Sequence, residues 1–310
     1  MKCPYCGQEH PGSFQFCPNT GQRLTPQFKA CINKQCLDYG KYILPLDSRF
    51  CPSCGKRLDN QIGENDNGNE ANDILRFSIN GIYFNMILVE HGSFTMGATS
   101  ELEGVCPDEM PAHKVTLTKD YYMGETQVTQ ALWEAIMGGN PSKFKGKERP
   151  VECVNWYDCQ EFVKKLNRRL HSQLHGKSFR LPTEAEWEFA ARGGNKSCGY
   201  QFSGSDDLDE VACYSDNEDD ETCDVASFEP NELKIYDMNG NVYEWCLDRC
   251  GRYKRSAQRD PRGPSSGSCR VLRGGGWYFD SIMEYRLSYR GGAEPDEIFD
   301  TNGFRLTLSE

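Results

Sequence analysis

The sequence predicts a loop-rich α+β protein in which a small cysteine-rich head is joined to one large domain. Seven of the 16 cysteines fall within the first 54 residues in paired spacings. A stretch from Asn60 to Asp73 with almost no apolar side chain follows. The 30 glycines then favour turns over long regular elements.

A chain of 310 residues exceeds the usual single core of about 100–200 residues, so a large domain with an appendage is the natural reading. Hydrophobic residues at 37% and aromatics at 12% suffice to build that core. The net charge of -11 speaks against general nucleic-acid binding, which needs a lysine and arginine surplus on at least one face. The amino terminus has no apolar run of the secretory kind, and no stretch approaches the roughly 20 apolar residues of a membrane span. The expected location is cytoplasmic, with most of the nine scattered cysteines as free buried thiols.

Residues 1–58 form the head, 59–73 a flexible polar linker, and 74–310 the large domain, in which apolar residues persist without a second break. Three helices are legible there. The first covers Gln130 to Met137, where Leu132, Trp133, Ile136 and Met137 share a face and Gly138 ends the run. In the second, Asn155 caps a helical spacing of Trp156, Cys159, Phe162, Val163, Leu166 and Leu170. The third opens on the Thr183–Glu186 capping box and stops at Gly193-Gly194. Beyond Gly194 the pattern predicts only short strands and ordered loops.

In the head, residues 27–58 hold Cys31 and Cys36 with four residues between them and, after fourteen more, Cys51 and Cys54 with two between them. Two thiolate pairs at this spacing suit tetrahedral structural zinc, whose binding would supply the folding energy of so short a segment. Residues 1–24 carry Cys3, Cys6 and Cys17, with Thr20 where a fourth thiolate would complete a second ribbon. Threonine is a poor zinc ligand, which leaves two readings: His10 completes the site, or this knuckle binds zinc weakly or not at all. The head as a whole resembles the short zinc ribbons that dock protein partners.

From Asp237 to Glu244 the chain can offer a hard cation the carboxylates of Asp237 and Glu244 and the carbonyls of Gly240 and Val242. Calcium is the expected ion; the alternative is an asparagine-glycine turn with solvated acids. Four motifs carry a resemblance: His91-Gly-Ser-Phe-Thr-Met-Gly97, Arg180-Leu-Pro-Thr-Glu-Ala-Glu-Trp-Glu-Phe-Ala-Ala-Arg192, Asp237-Met-Asn-Gly-Asn-Val-Tyr-Glu-Trp245, and Arg273-Gly-Gly-Gly-Trp277 with Gly303-Phe-Arg305. Across roughly residues 80–310, in the same order, they resemble the formylglycine-generating enzyme, or sulfatase-modifying factor, family. The resemblance implies a C-type-lectin-like fold whose carboxy-terminal segment lines the ligand surface.

It also implies catalysis by two cysteines that hold copper(I). Counted from Arg273, the family's serine falls on Gly276, its first cysteine on Phe279 and its second on Glu284. A phenyl ring cannot ligate metal and glutamate is a hard ligand for a soft ion, so copper and the oxidase chemistry are not expected. The ending further resembles variable proteins diversified by retroelements. Under that resemblance Tyr278, Phe279, Asp280, Ser281, Gly291, Gly292, Ala293, Ile298, Phe299, Asp300 and Thr301 would contact ligand. Rigid aromatics among small and polar residues suit recognition; the same residues also suit ordinary loop filling.

The favoured function is a non-catalytic protein that holds a protein or other macromolecular ligand on its carboxy-terminal surface while the zinc ribbons attach it to a partner. A formylglycine-generating or related oxygen-dependent oxidoreductase with an unrecognised metal site is the alternative, and a scaffold serving only protein contacts a third.

Overall fold

A computed structural model describes residues 28–30, 42–45, 73–98, 104–215, 220–278 and 281–310. The chain falls into two units, Met1–Gly68 and Asn69–Glu310. Within the first, β1 (Phe28–Ala30) and β2 (Tyr42–Pro45) form an antiparallel pair. The proposed zinc ligands Cys3, Cys6, Cys17, Cys31, Cys36, Cys51 and Cys54 lie outside the described residues.

The second unit begins with β3 (Ile74–Ile79) and β4 (Ile82–Val89). Asn80 and Gly81 join them with φ of 52° and 83°, and Ile79 faces Ile82 across the turn. Two consecutive left-handed residues make the hairpin turn whose twist matches the strands it connects. Next come β5 (Gly92–Met96), β6 (His113–Leu117) and β7 (Tyr121–Gly124), then α1 (Gln130–Met137) and α2 (Trp156–Leu170). A short β8 (Ser178–Arg180) leads to α3 (Glu184–Ala191) and the single turn α4 (Leu208–Val211). The remaining strands are short: β9 (Ala212–Cys213), β10 (Asn239–Gly240), β11 (Tyr243–Arg249), β12 (Gln258–Arg259), β13 (Arg270–Arg273), β14 (Gly291–Ala293), β15 (Asn302–Gly303) and β16 (Thr307–Ser309).

Mixed helix and sheet is thus the fold class. A five-stranded antiparallel sheet runs β3-β4-β7-β16-β8, so the chain's last strand is inserted among its earliest. A second sheet runs β14-β13-β11-β15 and a third β12-β6-β5. Helices α1 and α2 pack on the five-stranded sheet through Trp133 and Phe162, stacked at 5.3 Å, with Phe304 edge-on to both. Helix α3 inserts Trp187 and Phe189 into a second core with Val115, Cys246 and Val271. Asn155 and Thr183 cap α2 and α3 as the sequence indicates, and Thr129 caps α1; each accepts a backbone N–H from the third residue on. Among the described residues no helix is long and apolar enough to cross a membrane.

Of the nine scattered cysteines, Cys213 and Cys223, both buried, form a disulfide; the other seven are free thiols, of which Cys159 and Cys246 are buried.

Candidate functional site

The segment from Asp237 to Glu244 forms an oxygen-rich cage. Asp237, Gly240 and Asn241 take φ of 56°, 76° and 61°, which turns successive carbonyls to one side. Only glycine fits at 240, since a Cβ there would meet the Cys213 carbonyl oxygen at 2.2 Å. The carbonyls of Asp237, Gly240 and Val242 converge with Glu244 Oε1 on one point, occupied by Gln127 Nε2 at 3.2, 3.4, 3.0 and 3.0 Å. Asp237 contributes its carbonyl and not its carboxylate, which accepts from Ala226 N at 3.0 and 3.2 Å. Burial pushes the Asp237 carboxyl up to about 6.

Glu244 is fully buried. Its Oε2 accepts from Trp187 Nε1 and from Arg305 Nε, each at 2.6 Å, and Arg305 Nη2 reaches Oε1 at 2.7 Å. Arg305 Nη2 also donates to the carbonyls of Tyr236 and Asp237, both at 2.9 Å. The cage holds only oxygen donors, and buried Gln127 Oε1 has no partner. In kind this fits a hard cation such as calcium; the radius is that of hydrogen bonds rather than the roughly 2.3–2.6 Å of calcium contacts.

Further along, the carboxy-terminal segment is tied down from beneath by buried arginines. Arg273 pairs with Glu188 and donates to the carbonyls of Ser288, Tyr289 and Leu287. Arg286 binds Glu109 at 2.7 Å, and Ser288 Oγ donates to the same carboxylate at 2.6 Å. Arg290 joins Glu184 and lies over the Tyr253 ring.

On this base stand exposed apolar side chains. Tyr278, Ile282, Ile298 and Phe299 are 62%, 50%, 55% and 46% exposed. Trp277 Nε1 donates to the Asp300 carbonyl at 3.0 Å, and Asp300 accepts from Lys143 Nζ at 2.6 Å. Lys143 in turn lies over the rings of Phe144 and Trp277. Tyr278 meets Trp277 edge-on at 5.4 Å. The structure therefore brings Tyr278, Phe299 and Asp300 to one surface around Trp277. Ser281 opens the 3-10 turn Ile282–Tyr285, and the Thr301 carbonyl accepts from Tyr243 N. Gly291 and Gly292 lie on β14, where Ala293 turns its side chain into the core by strand alternation. Phe279 and Asp280 lie outside the described residues.

Residues 80–309 match the family model described as the Sulfatase-modifying factor enzyme 1-like domain. The chain belongs to this family. It is 33% identical to the Chaperone protein LppX of Paenibacillus barcinonensis over 73% of this chain and 89% of that protein. It is also 33% identical to the formylglycine-generating enzyme of Streptomyces coelicolor, over 57% of this chain and 58% of that enzyme. The inactive C-alpha-formylglycine-generating enzyme 2 of Bos taurus is 30% identical over 66% of this chain and 64% of its own. Against the last two, the match spans less than two thirds of the relative's length. Among solved structures, Treponema denticola variable protein 1 superposes with a TM-score of 0.68 at 32% identity, covering 76% of this chain and 98% of that one.

Two of the three positions that the resemblance assigns to catalysis are described in this sulfatase-modifying-factor domain. Gly276 is buried, and its carbonyl accepts from Tyr285 OH at 2.7 Å. Glu284 is half-buried on the 3-10 turn, and burial raises its carboxyl above the usual range. Neither residue is a thiol. Among the described residues, Cys250 and Cys269 lie opposite each other, with Cys250 N donating to the Cys269 carbonyl at 3.0 Å. Burial raises the Cys250 thiol to about 12, so this thiol is not poised as a thiolate at neutral pH.

Gln127, Lys143 and Phe144 are the site residues that motif reading missed. Each reaches the site from a distant part of the chain, 117 residues from Glu244 for Gln127 and 157 from Asp300 for Lys143. Gln127 lies in a mostly polar stretch, Glu125-Thr126-Gln127-Val128-Thr129-Gln130, so no local signal marks it.

Proposed function

We propose that this is a non-catalytic binding protein of the sulfatase-modifying factor family, with a C-type-lectin-like carboxy-terminal surface that holds a protein ligand. One observation carries the reading: Tyr278, Ile282, Ile298 and Phe299 are large, apolar and exposed on a segment whose underside is fixed by buried arginine–carboxylate pairs. Exposed aromatics on a rigid base are the usual anchors of an interface. The likeness to a variable protein and to an inactive formylglycine-generating enzyme supports the same reading. A soft metal needs soft ligands, and the residues at the described catalytic positions supply a backbone and a carboxylate.

Calcium belongs to the proposal as a structural ion held by the Asp237, Gly240 and Val242 carbonyls and Glu244. Zinc belongs to the head, on Cys31, Cys36, Cys51 and Cys54, whose role is to attach the protein to a partner in the cytoplasm. Wild type and a Tyr278→Ala/Phe299→Ala variant, baiting the same lysate, test the binding surface. A partner held by wild type and lost by an equally stable variant supports it. Equal capture by both places the binding surface elsewhere.

A further inference from the structure

The cage at Asp237–Glu244 has one more contributor than its own segment supplies. Gln127 Nε2 stands within 3.0–3.4 Å of four oxygens, but an amide has two hydrogens to give. Arg305 Nη2 stands near two of the same four, the Asp237 carbonyl and Glu244 Oε1, and near the Tyr236 carbonyl as well, so its two hydrogens are also shared. The cage oxygens thus outnumber the hydrogens offered to them, while the amide's own Oε1 is buried without a partner. A buried carbonyl with no donor is costly, and this one is a hard oxygen next to a cluster of hard oxygens.

We propose that Gln127 is a reversible fifth ligand of this cage: its NH2 fills the cage when no ion is bound, and rotation of the amide presents Oε1 to the ion. The proposal rests on the calcium reading above. Oxygen and NH2 have nearly the same size, so the exchange needs a turn about the last side-chain bond and no backbone movement. The displaced NH2 has somewhere to go. Gln127 lines a cavity of about 470 Å³ together with Asn85, Glu125, Thr126 and Ala226, roomy and polar enough for water that could accept from it. Because Arg305 already neutralises Glu244, wild type should bind weakly, and a carboxylate at 127 should bind more tightly.

Trp187 provides the readout. Its Nε1 donates to Glu244 Oε2 at 2.6 Å, so a terbium ion in the cage would lie beside the indole and emit when tryptophan is excited. Full-length wild type, Gln127→Leu and Gln127→Glu are titrated with terbium, calcium competes it off, and melting is followed in parallel with calcium added. The expected result is calcium-competed emission in wild type, at least tenfold weaker affinity in Gln127→Leu, and at least tenfold tighter affinity in Gln127→Glu. Equal affinity of wild type and Gln127→Leu overturns the fifth-ligand role and leaves the calcium reading standing. No calcium-competed emission and no melting shift in wild type overturns both. Should Gln127→Leu fail to fold, the near-isosteric Gln127→Glu decides: an unchanged affinity overturns the proposal.

Discussion

Arg305 grips both carboxylate oxygens of Glu244, at 2.6 and 2.7 Å, and neither side chain reaches solvent. This pair joins the end of the chain to β11, because Arg305 lies between β15 and β16 while Glu244 pairs with Gly303 across β11 and β15. Removing one partner leaves a buried charge uncompensated, which typically costs about 3–5 kcal/mol. Arg305→Met should therefore lower the urea midpoint by that equivalent. Arg305→Met combined with Glu244→Gln should cost less than the two single changes summed, since the second relieves what the first exposes. Additive losses in the cycle would show that the pair is not coupled.

A second buried acid gives a pH signature. Burial, and after it the charge of Glu184, pushes Asp248 up to about 7, and the residue is 3% exposed. Its folded value lies above the unfolded value of about 3.9, so the native state holds the proton longer. Stability is then greatest below the unfolded value and falls as pH rises from about 4 to 7, with a limit of roughly 4 kcal/mol. Asp248→Asn can keep the bond from Glu184 N and carries no charge. The variant should melt with wild type near pH 4 and above it at pH 8. A constant gap at every pH would reject this account.

For the head, the complete quartet Cys31, Cys36, Cys51 and Cys54 should retain one tightly bound zinc, because four thiolates at this spacing bind with folding-scale free energy. Metal analysis of tag-free protein is the measurement. Less than about half an equivalent, undiminished by chelator, would remove the ribbon reading.

The three long helices were legible because each carries an apolar face and a local signal at one end or both. Thr183 and Glu186 form the capping box at the start of α3, and Gly138, at φ 86°, closes α1. The strands were not legible, since β9, β10, β12 and β15 are two residues long and show no period. Their pairing depends on partners remote in sequence, such as Thr307 with Met123. The site divides the same way. Glu244 was readable as an oxygen donor, but its bonds to Gln127, Trp187 and Arg305 span 117, 57 and 61 residues. Side-chain direction was equally hidden: nothing local distinguishes Ala293, which faces the core, from exposed Gly292. Nor does spacing single out Cys213 and Cys223 as a bonded pair.

Copper-loaded protein incubated under oxygen with a cysteine-containing sulfatase-type peptide should leave that cysteine unchanged. At position 276 there is no side chain, and the Gly276 carbonyl is held by Tyr285 OH at 2.7 Å. At 284 a carboxyl replaces a thiol, and its burial favours the protonated form, which is a still poorer metal ligand. Phenylalanine at 279 offers no donor at all. Cys250 and Cys269 remain as the adjacent thiols, and burial raises the Cys250 thiol to about 12, which disfavours the thiolate that copper(I) needs. Mass spectrometry of the peptide over time reads the outcome. Time-dependent aldehyde in wild type would restore the oxidase reading, and its loss on Cys250→Ser would then locate the metal. Unchanged peptide, with ligand capture lost in Tyr278→Ala/Phe299→Ala, would assign this surface to binding, with an expected weakening of about 2 kcal/mol or more if the aromatics are central anchors.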